Sequence, residues 1–147
     1  MSQAGEAIDL DTSLGYLLKQ AASALRAAME DALRPHDMTV THYSCLELLA
    51  QRPGLSNSEL ARGAFITRQS MNVLLQALER DGSVVRPAEA AVGKALPAQL
   101  TELGRERLAA ASIAVRGVEK RMLVGMTDPE QVAAFGALQS MVRALRS

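Results

Sequence analysis

The sequence predicts a mainly α protein carrying one small β-hairpin, and three observations predict it. Alanine supplies 25 of the 147 residues, whereas there are only two Tyr, two Phe and no Trp. That composition favours close-packed helices over sheets, because Ala is the best helix former and a poor strand former. Apolar residues recur at spacings of three and four over most of the chain, the period of a helix with one buried face. The exception is a stretch near residues 83–100, where two short apolar runs flank a loop of small residues.

The first helix is expected over residues 12–33. Leu14, Leu18, Ala21, Leu25, Ala28 and Ala32 step along one face, Leu17, Ala24 and Met29 widen it, and Arg34-Pro35 stops it. After the link His36-Asp37-Met38, Thr39 is the expected N-cap of a second helix running to about Arg52, ended by Pro53-Gly54. Ser56-Asn57-Ser58-Glu59 fits a capping box, with Ser56 as N-cap and Glu59 three positions on, opening a short third helix to Gly63. Phe65 and Ile66 cross a turn, and Thr67 caps a fourth helix to Arg80, with Gly82 placed for a left-handed helix end. Residues 83–86 read as a strand, 88–95 as a loop and 96–100 as a return strand that Pro97 confines to an edge. Thr101-Glu102 opens a fifth helix with the seam Leu108, Ala111, Val115, Val118, Met122, broken at Gly125-Met126. Asp128 is the expected N-cap of the last helix, Pro129 its first residue, and Val132, Phe135, Leu138, Val142 and Leu145 its apolar face.

Composition excludes several functional classes. Sixteen Lys and Arg balance sixteen Asp and Glu, so there is no polybasic tail, although a local basic patch is allowed. One Cys excludes an internal disulfide, and two His without partner Cys argue against a metal site. No apolar run approaches the roughly 18 residues of a membrane span, and the N-terminus lacks the layout of a signal peptide, so a cytoplasmic protein is expected. There is no GxSxG, P-loop, GxGxxG or HExxH string, so neither an enzyme nor a cofactor is expected.

Helix, short helix, tight turn, helix, hairpin is the winged helix-turn-helix order, in which the second helix of the turn enters a DNA major groove. A wheel of the fourth helix gathers Met71, Leu74, Leu75 and Leu78 on one face and places Gln69, Asn72, Val73, Gln76 and Arg80 opposite, with Arg68 and Ser70 on the flanks. Gln and Asn suit adenine, Arg suits guanine, and Ser suits a base or a phosphate. Between Leu60 and Leu78 there are two Arg and no acid. Thr67 is expected to cap the helix and donate to phosphate. Arg68, Gln69, Ser70, Asn72 and Gln76 are expected at bases or groove, and Arg86 and Lys94 as wing or backbone charge. The bland reading is a polar, solvated face on an ordinary amphipathic helix, and the alternative function is a winged-helix protein–protein interaction module with weak or lost DNA binding.

Four strings taken in order carry a family resemblance: Leu55-Ser56-Asn57-Ser58-Glu59-Leu60-Ala61, Ile66-Thr67-Arg68-Gln69-Ser70-Met71-Asn72, Leu78-Glu79-Arg80-Asp81-Gly82 followed by Val85-Arg86, and Leu100-Thr101-Glu102-Leu103-Gly104. With them the chain resembles the MarR family of transcriptional regulators over nearly its whole length. The resemblance implies a homodimer held by the first, fifth and sixth helices, with each fourth helix in a major groove and each wing at a minor groove of double-stranded, inverted-repeat DNA. It implies repression relieved by a small aromatic effector bound between the lobes. On this reading residues 1–147 form one module. Residues of about 12–38 and 102–147 make the dimerisation lobe, and about 39–101 the DNA-binding lobe. Tyr16 and Tyr43 lie on the helices that would border an effector pocket, and His42 is an acid-binding candidate beside them, although Tyr43 also fits the core.

Two departures stand out. The family commonly carries an acid two residues before a basic residue at the wing tip, whereas Lys94 has none. The position of the peroxide-sensing Cys found in one branch falls near Gly15, and Cys45 reads as a small buried hydrophobe.

Overall fold

A computed structural model describes residues 7–86 and 97–147. Six helices and one hairpin follow the expected order. α1 spans Leu14–Leu33, with Ser13 rather than an earlier residue as its cap: the Ser13 hydroxyl accepts from the Tyr16 N–H at 3.1 Å, and Leu10–Thr12 form a separate 3-10 turn. A second such turn, Arg34–His36, carries Pro35, and Asp37 reverses the chain with φ 57°. α2 (Val40–Gln51) is capped by Thr39, as the sequence indicates.

α3 (Asn57–Gly63) starts from the expected capping box: Glu59 N donates to Ser56 Oγ, and Glu59 Oε1 accepts from Ser56 N at 2.9 Å. Its C-terminus is closed by Phe65 N donating to Arg62 O at 3.3 Å and Ile66 N to Ala61 O at 3.0 Å. That pairing is a Schellman cap, whose left-handed position ordinarily holds Gly. Here it holds Phe65, with φ 61°. A Cβ in that region crowds the following carbonyl at a cost of about 1–2 kcal/mol.

α4 (Arg68–Arg80) leads to β1 (Val84–Val85), which pairs antiparallel with β2 (Gln99–Leu100), Val84 opposite Leu100. Both strands are shorter than the expected 83–86 and 96–100. Pro97 has no N–H to donate. The Ser83 N–H is taken by Leu78 O and Asp81 Oδ1, which close the turn at Gly82. α5 (Glu102–Met122) is capped by Thr101. α6 (Asp128–Arg146) is capped one residue earlier than expected. Thr127 accepts from Glu130 N, and Glu130 returns a bond to Thr127 N at 2.8 Å, so Asp128 is the first helical residue and Pro129 the second. The Thr-x-x-Glu spacing of this second capping box outcompetes Asp128.

The main core joins α2, α3, α4 and the hairpin through Leu46, Leu60, Met71, Leu75, Val84 and Leu100, with Leu108 of α5 closing it. A smaller core joins Leu33 to Ala111 and Val115. The α5 seam is thus buried within the chain from Leu108 to Val118, and only Met122 at its end is exposed. α6 buries none of its residues. Its apolar face stands in the open, with Phe135 at 67% exposure.

Candidate nucleic-acid interface

α4 is held by its apolar face. Met71, Leu74, Leu75 and Leu78 are all buried in the main core. The opposite face is therefore fixed in direction and uncovered. Arg68, Gln69, Val73, Gln76 and Arg80 are all exposed along it. At its start Thr67 Oγ1 accepts from Ser70 N at 3.0 Å and donates to Ser70 Oγ at 2.9 Å. The remaining first-turn N–H groups point outward with the positive end of the helix dipole, a site suited to an anion. Arg68 Nη1 reaches Ser58 Oγ at 3.5 Å, so its guanidinium lies beside the start of α3. Arg62 adds a second exposed cation from the last turn of α3. A polar, cationic helix N-terminus projecting from a rigid core can hydrogen-bond base edges and phosphates at once.

The other expected site residues fall differently. Asn72 is half-buried at the edge of the face rather than opposite the core, and Asn57 Nδ2 donates to its Oδ1 at 2.7 Å. Its amide joins α3 to α4. Arg86 Nε lies 2.8 Å from Glu79 Oε1, so its charge is balanced within the chain. Lys94 lies outside the described residues.

The three effector candidates do not converge. His42 lines a cavity of about 150 Å³ with His36, Asp81 and Arg107. Tyr43 lines another of about 250 Å³ between α2 and α5 with Glu47, Ser112, Arg116 and Glu119. Tyr16, half-exposed on α1, lines neither. The Tyr43 hydroxyl donates to Glu47 Oε2, which also accepts from Ser112 Oγ at 3.2 Å, while Glu47 Oε1 accepts from Gln51 at 2.7 Å. Burial and then the bond to Glu47 push the Tyr43 phenol up to about 12. Burial alone would raise Glu47, but the donors Tyr43, Gln51 and Ser112 and the charge of Arg116 outweigh it and hold the carboxyl below its usual range. Cys45 is packed 3.7 Å from Met71 Sδ, and burial pushes its thiol up to about 12, as suits a core residue rather than a sensor. No group of three or more metal-ligating side chains occurs among the described residues.

Sequence reasoning missed Asn57, Ser58 and Phe65. The first two occupy the opening helical positions after the Ser56 cap, so the capping box already placed them at the α3 end that meets α4. Phe65 carried no local signal, because the left-handed position is one where Gly is the usual residue.

Comparison with known proteins identifies the family and the fold. The profile of the MarR family matches residues 36–95. The HTH-type transcriptional repressor Rv2887 of Mycobacterium tuberculosis is 44% identical over 121 residues, which cover 82% of this chain and 87% of that protein. The chain belongs to the MarR family. Its winged helix-turn-helix is the family's, and the family and these relatives are transcriptional regulators. The crystal structure of Rv2887 in complex with DNA superposes with a TM-score of 0.74 at 39% identity, covering 88% of this chain and 98% of that one. Rv2887 in complex with salicylic acid gives 0.75 at 41% identity, covering 88% and 96%. No helix among the described residues is long and apolar enough to cross a membrane.

Proposed function

We propose that this MarR-family protein is a homodimeric repressor that binds inverted-repeat duplex DNA in the cytoplasm through α4. The observation that carries the reading is the uncovered face of α4, which begins with Arg68 and Gln69 at a capped helix N-terminus. The complex of the relative Rv2887 with DNA supports it. Arg68, Gln69 and Gln76 read base edges, Ser70 and Thr67 meet phosphate, and Asn72 contributes its amide. Arg86 positions the wing through Glu79, and Lys94 adds phosphate charge at its tip.

The second copy is required by α6. A large apolar side chain gains about 1.5–3 kcal/mol on full burial. Phe135, Leu138 and Val142 stay 67%, 44% and 47% exposed within one chain, so a large part of that gain is left for a second copy. Residues of about 12–38 and 102–147 accordingly form the dimerisation lobe, and 39–101 the DNA-binding lobe. A small aromatic acid is the effector class that the salicylic acid complex of Rv2887 supports. In this chain Tyr43 and His42 line separate cavities, each with one Arg, Arg116 and Arg107, as the cation an acid would meet; the Tyr43 cavity also holds the carboxylates of Glu47 and Glu119.

The test is selection of duplexes from a random pool on the purified protein at two salt concentrations. The expected result is an inverted repeat with half-sites one helical turn apart and recovery that falls with salt. No recovery at low salt would overturn the reading and leave the winged helix as a protein-docking module.

A further inference from the structure

Phe65 is held in a left-handed conformation at the Schellman position of α3, where glycine is the unstrained choice, and its ring is 83% exposed. The next residue, Ile66, packs on the main core, whereas Phe65 packs on none of it. Neither local backbone preference nor burial accounts for an aromatic ring here. Strained backbone positions of this kind cluster at functional sites. The ring stands in the turn itself, between the exposed Arg62 and the exposed Thr67 and Arg68 that open α4. Along the chain it thus has exposed residues suited to phosphate on both sides.

We propose that Phe65 is a DNA-contact residue whose ring packs on the deoxyribose edge of the backbone beside the groove that α4 enters. The inference rests on the DNA-binding reading above. The ring excludes water from the phosphate contacts of Arg62 and Thr67 and sets the depth of α4. It carries no charge and reads no base.

The test compares wild type with Phe65→Gly, Phe65→Asn and Phe65→Tyr. Affinity is measured on the selected inverted repeat and on a scrambled duplex, each of about 30 base pairs to hold two half-sites. Gly and Asn tolerate the left-handed backbone, so both variants should melt higher than wild type. Their affinity should nevertheless fall about five- to tenfold on both duplexes, with an unchanged salt slope because no phosphate contact by a cation is lost. Tyr keeps the ring and should restore affinity, which loosening of the turn would not explain. Wild-type affinity in both the Gly and Asn variants would overturn the inference alone. A loss confined to the selected sequence would overturn the backbone contact in favour of a base contact. Failure of wild-type protein to bind either duplex would remove the DNA-binding reading and this inference with it.

Discussion

Replacing Gly104 by Ala should separate α5 from the hairpin. A Cβ at Gly104 would stand 2.1 Å from Ser83 O and 3.3 Å from Leu100 Cδ2, so the Ser83 carbonyl must move. That carbonyl accepts from Thr101 N at 3.0 Å, and the Thr101 hydroxyl donates to the neighbouring Gly82 carbonyl. Ser83 is itself buried and pinned, with Arg107 Nη1 donating to its Oγ at 2.9 Å and lying 3.3 Å from Asp81 Oδ2. Overpacking at such a site costs about 1–3 kcal/mol. Orphaning the Thr101 N–H adds about 1–3 kcal/mol. The better helix propensity of Ala returns about 1 kcal/mol. The net loss is about 1–5 kcal/mol, and at roughly 3 °C per kcal/mol for a chain of this size the melting temperature should fall by about 3–15 °C. Gly117→Ala in the same helix, where nothing lies within 4 Å of the added methyl, should instead gain up to about 1 kcal/mol. Thermal melts followed by circular dichroism at one fixed protein concentration give both numbers, because the melting of a dimer shifts with concentration. A Gly104→Ala protein that melts with the wild type would refute the close approach of α5 to the hairpin.

Three further outcomes are expected. Arg68→Ala should lower affinity and relax preference at one base position by about 1–3 kcal/mol in a binding-site selection, and an unaltered selection profile would remove Arg68 from the interface. Phe135→Glu should place a charge in the face that α6 gives to its partner copy, at about 3–5 kcal/mol per copy, and sedimentation equilibrium should find monomer; a dimer as tight as wild type would show that α6 pairs elsewhere. Cys45, with its thiol pushed up to about 12, is almost wholly protonated at pH 8, so iodoacetamide should label it only as fast as the protein unfolds, and prompt stoichiometric labelling would contradict its burial.

The cavity at Tyr43 also has a pH signature. Because the folded carboxyl of Glu47 sits below its unfolded value, its contribution to stability is fully present above the unfolded pKa and is lost as pH falls through the folded one. Thermal melts taken as pH falls through that range should show the loss, and a melting temperature that does not fall there would contradict the hydrogen-bond network around Glu47.

Much of this protein was legible along the chain. The starts of α2, α3, α4 and α5 follow from Thr39, Ser56 with Glu59, Thr67 and Thr101, since a cap acts on an N–H only two or three residues away. The buried face of α4 follows from the 3.6-residue period, and with it the direction in which Arg68, Gln69 and Gln76 project. At the sixth helix two adjacent caps competed, and the Thr-x-x-Glu spacing, itself legible along the chain, is what favours Thr127 over Asp128. What tertiary structure alone decided are meetings between side chains on different elements. Asn72 is engaged by Asn57, Arg86 by Glu79, and Tyr43 by Ser112, while His42 and Tyr43, adjacent in sequence, line separate cavities. The glycine demanded at position 104 is set by the Ser83 carbonyl, and the strain at Phe65 by the way α3 must turn into α4. The physical reason is common to all of these. Periodicity and capping act over one turn of backbone, whereas a polar side chain's partner depends on how helices pack, and that is a property of the assembled core rather than of any segment in it.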